Sequence, residues 1–320
     1  MLINPLPYGD DPHAPLNSKP WRNMKRGAEL DTLVDADIFT YAAGFAVEHC
    51  EYMAYDADDN LLGHFSKKSL YNAWAKKNPD IEVADLDWYE WIEPLKTSEI
   101  IINRKKRQIG NVTKGSKQLW FLTKGSTLWR NDDATIQEYK GNRKEMRKPK
   151  YYEELREYMM RVMHAKLCQG LEADDSVAST ARNFPGEVIV CSGDKDLLTI
   201  PGLHLNPSKL KEGVHFVSEL DACRFLYAQM LSGDKIDNIK GLSGTKESPG
   251  WGAIKSAKAM ANLITEYDMA RYVAEQYAKR YPDGTLGYDG NHLTWQEMLV
   301  ETANLLFLRR YQHTQFTWSE

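Results

Sequence analysis

Three short apolar runs, separated by segments long enough for helices, constrain the fold of this 320-residue chain more than any other feature. They lie at 32–39, 118–122 and 187–192. Each is too short for a helix and rich in branched or apolar residues, as buried strands are. Strands that alternate with helix-length segments indicate a parallel α/β sheet flanked by helices. Because ligands of such sheets bind beyond the carboxyl ends of the strands, the residues that follow each run are functional candidates.

Acidic residues stand at the ends of two of these runs. Asp35 lies in the first run, and Asp194 and Asp196 follow the third, whereas the second ends at Thr123. If the strands are parallel neighbours, these carboxylates share one edge of the sheet. An acid after a strand is also common turn chemistry, so no single residue identifies a site.

Two further acidic clusters are GLEADD at 170–175, where a helix begins, and GDKIDN at 233–238, which opens a Gly-rich stretch. Acids in the first turn of a helix are favourable with its dipole and need no function. Closely packed carboxylates, however, repel one another unless a cation lies among them. Oxygen-only ligands select hard ions, so the combined set predicts Mg²⁺ or Mn²⁺.

The total charge argues at first against a nucleic-acid partner. The chain has 41 Lys and Arg against 45 Asp and Glu, a formal net charge of -4, and so no global positive field. Its basic residues are nevertheless concentrated, with six among the eleven residues of 140–150 and a smaller run at 104–107. A mildly acidic total therefore agrees with a carboxylate cluster and a phosphate-binding surface that nearly cancel.

Several other classes do not fit the composition. No run approaches the roughly 18 apolar residues that span a bilayer, so we expect no membrane partner. The four cysteines form no CxxC pair, which favours reduced thiols in a cytoplasm over a disulfide framework or a zinc ribbon. The Pro-rich residues 1–30 have no apolar core segment and are interpreted as an irregular arm, not a secretory signal.

The order of the motifs resembles the 5′-nuclease family: flap endonucleases, the 5′-nuclease domains of bacterial DNA polymerases, and phage 5′→3′ exonucleases, which look closest. The motifs are LVDAD, EYKGNRK, GLEADD, SGDKD and GDKIDNIKG. The resemblance covers residues 31–320, apart from 50–115. It implies a Rossmann-like (PIN/5′-nuclease) parallel sheet flanked by helices, with a helical arch and a helix–three-turn–helix DNA-binding region.

The resemblance also implies two bound divalent ions, Mg²⁺ or Mn²⁺. Two such ions can activate a water and stabilise both oxygens of a phosphoryl displacement. By position, the acids that would hold them, directly or through water, are Asp35, Glu172, Asp174, Asp175, Asp194, Asp196, Asp234 and Asp237.

One position departs from the family pattern. The family has an acid after the second strand, seven residues before the arginine of an aromatic–arginine pair. That pair is Trp129-Arg130 here, and the acid's position holds Thr123, whose neutral hydroxyl is a weaker ligand than a carboxylate. Two alternatives stay open: a weakened or inactive enzyme, or compensation by another acid, for which the candidates are Asp37, Asp132 and Asp133.

The basic segment at 140–150 matches the foot of the family's arch. Lys140 and Arg143 correspond to its lysine and arginine, which would stabilise charge on the scissile phosphate. Tyr139 beside them is a candidate base-stacking residue, and Lys144 is expected to contact DNA. On composition alone, the segment is as well explained as a solvated, charged helix start.

The Gly-rich stretch from 238 resembles the family's helix–three-turn–helix, which grips the duplex backbone and often binds K⁺. Exposed backbone N–H groups and a helix N-terminus can hold phosphate without reading bases. An insertion at 245–249 lengthens the hairpin, so duplex contact is the firmer expectation and K⁺ the weaker. The residues expected to contact DNA are Gly241, Gly244, Gly250, Gly252 and Lys258.

Together these features predict a Mg²⁺-dependent 5′→3′ exonuclease with flap endonuclease character, acting as a monomer in phage DNA replication or processing. Its substrate would be a DNA duplex with a 5′ end or flap, or an RNA–DNA hybrid. A catalytically weakened, DNA-binding relative is the alternative that Thr123 motivates, and an RNA-directed PIN nuclease is a weaker third. The expected organisation is the arm at 1–30, a catalytic domain at 31–215 with an unassigned insertion at 50–115, and a helical region at 216–320.

Overall fold

A six-stranded sheet lies at the centre of the fold. The computed structural model describes residues 2–4, 8, 11–125, 129–143, 146–242, 244, 249–308 and 317–319. The strands are β1 (Leu2–Asn4), β2 (Asp31–Asp35), β3 (Glu48–Tyr55), β4 (Leu61–Phe65), β5 (Asp85–Ile92), β6 (Lys117–Lys124), β7 (Lys166–Gln169), β8 (Val188–Cys191), β9 (Gly202–Leu205), β10 (His215–Val217), β11 (Thr285–Leu286), β12 (His292–Leu293) and β13 (Thr317–Ser319). The helices are α1 (Asp37–Phe45), α2 (Lys68–Lys77), α3 (Leu95–Val112), α4 (Trp129–Asp133), α5 (Tyr152–Met163), α6 (Ala173–Asn183), α7 (Glu219–Ser232), α8 (Ala253–Met260), α9 (Glu266–Arg280) and α10 (Trp295–Leu306).

The central sheet has the strand order β10-β9-β8-β2-β6-β7. All neighbouring strands are parallel except β10 and β9, which are antiparallel. From β2 the chain builds outward on one side through β6 and β7, and then returns to the other side to form β8. That reversal creates a topological switch point between β2 and β8, the place where open α/β sheets bind ligands. The predicted parallel sheet flanked by helices is confirmed.

Burial explains why the two central strands are so apolar. Thr32, Leu33 and Val34 of β2 are buried, as are all residues of β8. A parallel strand covered by helices on both faces has no solvent face for polar side chains. The first polar residues beyond these strands therefore stand at the open carboxyl edge.

The structure corrects two predicted boundaries. The first apolar run leaves the sheet at Asp35, and α1 already begins at Asp37, because an acid suits the first turn of a helix. The apolar stripe along residues 152–167 predicts a helix over that range, but the helix ends at Met163. His164 adopts a left-handed conformation, with φ of +57°, that a helix does not accommodate, and the chain then enters β7.

The chain divides into two compact units. The first comprises 1–37, 107–147 and 160–320, and contains the central sheet; the second comprises 38–106 and 148–159. The second unit contains the antiparallel sheet β4-β3-β5. The turn residues at 58–60, between two half-apolar runs, predict a hairpin at 51–65, and the β3–β4 pair confirms it. On this sheet the ring of Phe65 packs against Tyr71 and Trp74 of α2, which accounts for much of the region that the sequence left unassigned.

The described residues of the N-terminal arm contact other parts of the first unit. Tyr8 is buried, and its hydroxyl lies 2.5 Å from the carbonyl oxygen of Thr199. The backbone N–H of Tyr8 donates to Oε2 of the buried Glu266 at 2.8 Å. Farther along, a β-bridge joins Pro15 to Thr265. The arm thus ties the helical region to the end of the sheet.

The C-terminal part of the first unit is a helical layer built on α7. Its buried residues include Leu226, Tyr227 and Met230, which join a core with residues of α9 and α10. The polar ends of the buried tyrosines are satisfied: the Tyr277 hydroxyl, for example, donates to the carbonyl oxygen of Met230 at 2.8 Å. None of the described helices combines the length and apolar character that a bilayer crossing requires.

Candidate active site

Asp35 occupies the centre of the sheet edge, at the end of β2. Its Oδ2 accepts a hydrogen bond from the Ser192 hydroxyl at 2.9 Å. Burial raises the pKa of Asp35 to about 7, and the charges of Asp37 and Asp194 act in the same direction. Ionisation of a carboxyl group with such neighbours is unfavourable, and a nearby cation would make the ionised form more stable.

Asp194 and Asp196 follow β8 on the other side of the switch point. The Ser192 hydroxyl accepts from the backbone N–H of Asp194 at 2.9 Å, so one serine links both strand ends. Asp194 caps the 3₁₀ turn Lys195–Thr199 by accepting from the N–H of Asp196 at 2.9 Å. Burial, followed by the charge of Asp194, raises the pKa of Asp196. The turn chemistry that the sequence suggested is therefore present, and it holds both carboxylates at the edge.

The start of α6 adds three more acids. Glu172 is the N-cap residue, and Glu172 and Asp175 form a reciprocal capping box. One carboxylate oxygen each from Glu172, Asp174 and Asp175 lie within 4.8 Å of one another. Burial, then the charges of Glu172 and Asp175, raises the pKa of Asp174 well above its usual range. Capping thus accounts for Glu172 and Asp175, and Asp174 is a third acid beside them.

A buried arginine neutralises part of this cluster. Arg130 is 1% exposed, and its Nη1 donates to Asp175 Oδ2 at 2.7 Å and to Glu172 Oε2 at 2.8 Å. Its Nη2 donates to Asp175 Oδ1 at 2.9 Å, so that Asp175 is held bidentately. The Nε atom donates to the carbonyl oxygen of Leu305 at 3.0 Å. In the sequence pattern, Arg130 serves only to locate Thr123. Nothing in the sequence around Arg130 indicates that its side chain is buried.

Glu172 contacts cations on two sides. Besides Arg130, it accepts a hydrogen bond from Nζ of Lys140. Burial acts to raise the pKa of Glu172, but the charges of Arg130 and Lys140 outweigh it and lower the pKa. The two cations therefore favour the ionised form of Glu172.

Hydrogen bonds of both backbone and side chains join the two motifs that carry Lys140 and Asp237. The N–H of Lys140 donates to the carbonyl oxygen of Asp237 at 2.9 Å, and Arg143 Nε donates to that of Ile236 at 3.0 Å. Arg143 Nη2 also donates to Asp237 Oδ1 at 2.6 Å. Burial raises the pKa of Asp237, while Lys140 and Arg143 oppose that shift. Motifs almost 100 residues apart in sequence thus form one structural element.

Asp234, the first acid of the same motif, faces the β8 side. Its carboxylate forms an ion pair with Lys195, which also lies 3.0 Å from Asp196 Oδ1. Burial acts to raise the pKa of Asp234, but the hydrogen bond and charge of Lys195 lower it overall. Lys195 therefore links the acids of two predicted motifs.

The structure contradicts the base-stacking role predicted for Tyr139. Its side chain is 5% exposed, which leaves no ring face for a base. Instead, its hydroxyl lies 2.8 Å from Glu172 Oε2 and 3.0 Å from Asp237 Oδ2. The basic neighbours in the sequence suggested a surface position, but the ring is part of the core below the site.

Thr123, where the family pattern has an acid, lies at the end of β6. Its hydroxyl accepts from the N–H of Ala173, the first residue of α6, at 2.9 Å. Its own N–H donates to the carboxylate of Asp37, with 3.1 Å to Oδ2. Of the two other acids considered as substitutes, Asp132 is exposed and Asp133 half-buried on α4.

Steric contacts explain the glycines of the hairpin between α7 and α8. Gly233 and Gly241 both have positive φ, of +66° and +54°, and a Cβ on either would lie 2.2 Å from backbone of the hairpin. Gly241 is buried, so its observed role is this close backbone approach. Gly244 and Gly252 are exposed and Gly250 is half-buried.

The hairpin borders a cavity of about 940 Å³. Lys195, Lys235, Lys240 and Trp251 are among its lining residues. Lys258 is exposed on α8, whereas Lys144 lies outside the described residues. The structure thus places lysines along a path from the acidic edge to the hairpin.

Comparison with known proteins agrees with the motifs. No family model matches the chain. A curated protein of Mycoplasmopsis pulmonis named 5'-3' exonuclease is 23% identical over 177 residues, which cover 51% of this chain and 59% of that protein. The chain therefore spans less than two thirds of its relative. This match confirms the family resemblance that the motifs predicted.

Three solved structures are similar in part. A bacteriophage T5 flap endonuclease pseudo-enzyme–product complex with DNA and metal ions has a TM-score of 0.47 at 17% identity, covering 67% of this chain and 81% of its own. A mutant T5 5'-exonuclease has a TM-score of 0.41 at 17% identity, covering 67% and 82%. The catalytic core of Rad2 with a DNA substrate has a TM-score of 0.43 at 16% identity, covering 82% and 68%.

Proposed function

We propose that this protein is a divalent-metal-dependent 5′→3′ exonuclease with flap endonuclease character, which hydrolyses DNA phosphodiesters. The observation that carries the proposal is the set of acids that end β2, follow β8 and open α6. Asp35, Asp174 and Asp196 come from three different elements, and all have pKa values that burial and neighbouring acids raise. Perturbed carboxyl groups at such an edge are typical of functional sites rather than of surface turns.

The donor set fits Mg²⁺ or Mn²⁺. The acids at the edge offer only oxygen atoms, which hard divalent ions prefer. We assign the direct ligands to Asp35, Glu172, Asp174, Asp194 and Asp196, while Asp175, Asp234 and Asp237, which contact Arg130, Lys195 and Arg143, would act through water. When bound, two such ions supply Lewis acidity toward the phosphate and lower the pKa of water.

Lys140 and Arg143 are proposed to bind the phosphate being cleaved. Both cations lie at the rim of the acidic edge and contact Asp237. Because they are held by carboxylates, an entering phosphate would exchange one anionic partner for another without desolvating a new cation. Their hydrogen bonds to residues 236 and 237 hold both cations in place. The charges that would stabilise the phosphate are therefore positioned before the substrate binds.

The hairpin and the adjoining lysines are proposed to hold the duplex. Backbone N–H groups at Gly244, Gly250 and Gly252 would contact phosphates, together with Lys258 and Lys144. Gly241 is proposed to shape the hairpin. K⁺ at the hairpin, RNA–DNA hybrids as substrates, and a monomer that serves phage DNA replication in the host cytoplasm complete the proposal.

The test is nuclease activity on 5′-labelled duplex and flap DNA, with Mg²⁺, Mn²⁺, or EDTA. We expect release of short 5′ products that requires metal, and its loss in Asp174→Asn. Asp87→Asn, an exposed acid of β5, is the matched control and should cleave like the wild type. Absence of cleavage by the wild-type protein with either metal would contradict the proposal.

Metal binding gives an independent readout of the same site. A ligand at about 100 times its Kd stabilises the folded state by about 2.7 kcal/mol. We therefore expect Mg²⁺ to raise the unfolding free energy of the wild type and of Asp87→Asn by this order, but not that of Asp174→Asn. The weakened, DNA-binding alternative is not favoured, since the edge retains its other acids; it predicts DNA affinity without cleavage.

A further inference from the structure

The end of β6 lacks the acid of the 5′-nuclease pattern, and the neighbouring strand brings one to the same point. β2 and β6 are parallel, with Asp35 opposite Phe121. Just beyond the pair, the N–H of Ala36 donates to the carbonyl oxygen of Phe121 at 2.9 Å. Position 37, which opens α1 two residues beyond the end of β2, thus lies near position 123 at the end of β6.

The Asp37 carboxylate lies against the backbone of Thr123. The N–H of Thr123 is 3.1 Å from Oδ2 of Asp37 and 3.3 Å from Oδ1. The Thr123 hydroxyl accepts instead from Ala173 N–H at 2.9 Å, where it joins β6 to the start of α6. The carboxylate at this strand end therefore comes from Asp37, while Thr123 has a structural task.

The charge of Asp37 reaches the acids of the site. Asp37 lies two residues beyond Asp35, and Thr123, whose N–H donates to Asp37, is hydrogen-bonded to the first residue of α6. Burial raises the pKa of Cys168, and the charges of both Asp37 and Asp174 raise it further. Cys168 lies opposite Thr123 on β7, so the field of Asp37 extends to both sides of the β6 end.

We propose that Asp37 is a metal ligand of the site and replaces the acid that the second strand lacks. This inference rests on the proposed function, because it assigns a ligand to the same metal site. A purely structural role is the competing explanation, since an acid in the first turn of α1 is favourable with the helix dipole. Asn at position 37 separates the two, because it can accept from Thr123 N–H but carries no charge.

The experiment is calorimetric titration of the full-length protein with Mn²⁺, without DNA. We expect two ions per wild-type molecule, and a loss of affinity of about tenfold or more for one of them in Asp37→Asn. Thr123→Asp in the Asp37→Asn background should restore the second ion, because it returns an acid to the β6 end. Asp132→Asn, an exposed acid of α4 with the same charge change, is the control and should bind both ions normally.

Two ions bound with unchanged affinity in Asp37→Asn would overturn the inference. So would failure of this variant to fold in EDTA, because the charge would then serve the helix and not an ion. If Asp37 is a ligand, removing its repulsion with Asp35 should leave the EDTA melting temperature equal or higher. No Mn²⁺ binding by the wild type would instead contradict the proposed function, so the two failures are distinguishable.

Discussion

The acidic edge has two sides that differ in the charge of their nearest neighbours. On the arginine side, Glu172 and Asp175 contact the buried guanidinium of Arg130. On the strand side, Asp35 has Asp37 and Asp194 as its charged neighbours, and its pKa is raised to about 7. Burial disfavours ionisation on both sides, so the sign of the adjacent charge decides the outcome. For Glu172 the cations prevail and its pKa is lowered.

The two sides therefore differ in the role that we propose for their acidic residues: structural on the arginine side and functional on the strand side. The arginine side carries its own counter-charge and joins β6, α4 and α6 into a fixed frame. On the strand side, ionisation of the Asp35 carboxyl group is costly, and a bound cation would relieve that cost. Under the proposed function, the strand side would gain most from a divalent ion, while the arginine side holds Glu172 in place. The predictions below test this division.

Replacing Arg130 should have the largest effect. Arg130→Met leaves Glu172 and Asp175 buried with their largest counter-charge removed, which typically costs about 3–5 kcal/mol. The free energy of unfolding from urea titration in EDTA measures this, and Arg161→Met, an exposed arginine of α5, is the matched control, with a change within about 0.5 kcal/mol. A loss for Arg130→Met no larger than the control's would mean that the arginine side does not organise the edge.

The raised pKa of Asp35 predicts that the free energy of unfolding depends on pH. The cause is burial and repulsion between like charges, whereas Arg130 acts by attraction. Its folded pKa, about 7, lies above the ordinary value of 3.8, so the folded protein keeps a proton that the unfolded chain has already lost. Stability contributed by the protonated group is therefore complete below about pH 4 and falls as pH rises through about 7. The difference between the folded and unfolded pKa values of Asp35 corresponds to at most about 4 kcal/mol in the free energy of unfolding.

Urea titrations in EDTA at about pH 5 and about pH 8 measure the effect of Asp35. The wild type should lose more stability between these values than Asp35→Asn, which has no proton to release. Adding Mg²⁺ should reduce the wild-type loss, since a cation favours the ionised carboxylate. Equal losses in the two proteins would show that the strand side is not strained by like charges.

The strand side was the predictable part of the site. The sheet follows from apolar runs of strand length, and parallel packing alone brings Asp35, Asp194 and Asp196 to one edge. The acids of GLEADD and GDKIDN lie at a helix start and a tight turn, which is also legible from local residue chemistry. These features are local, and each depends on a few neighbouring residues.

The arginine side was not predictable, because it depends on which side chains the tertiary fold buries. Nothing adjacent to Arg130 or Tyr139 in sequence indicates that both lie below the site. The hydrogen bonds that join 138–143 to 235–238 have the same long-range origin. Likewise, the Pro-rich arm has no periodicity, and yet Tyr8 is buried. The composition of these segments predicts that they are exposed to solvent. Their burial results from tertiary packing, which local sequence does not reveal.

Tyr139→Phe should have the smallest effect and the most specific one. The substitution removes a hydroxyl that contacts Glu172 and Asp237, and a hydrogen bond to a charged group contributes about 1.5–3 kcal/mol. The ring is 5% exposed, so duplex affinity in Ca²⁺, measured by fluorescence anisotropy, should stay unchanged. Lys258→Ala, exposed on α8, is the comparison and should weaken binding with little loss of stability. A Tyr139→Phe variant with normal stability but weaker DNA affinity would show that Tyr139 contacts DNA and does not stabilise the arginine side.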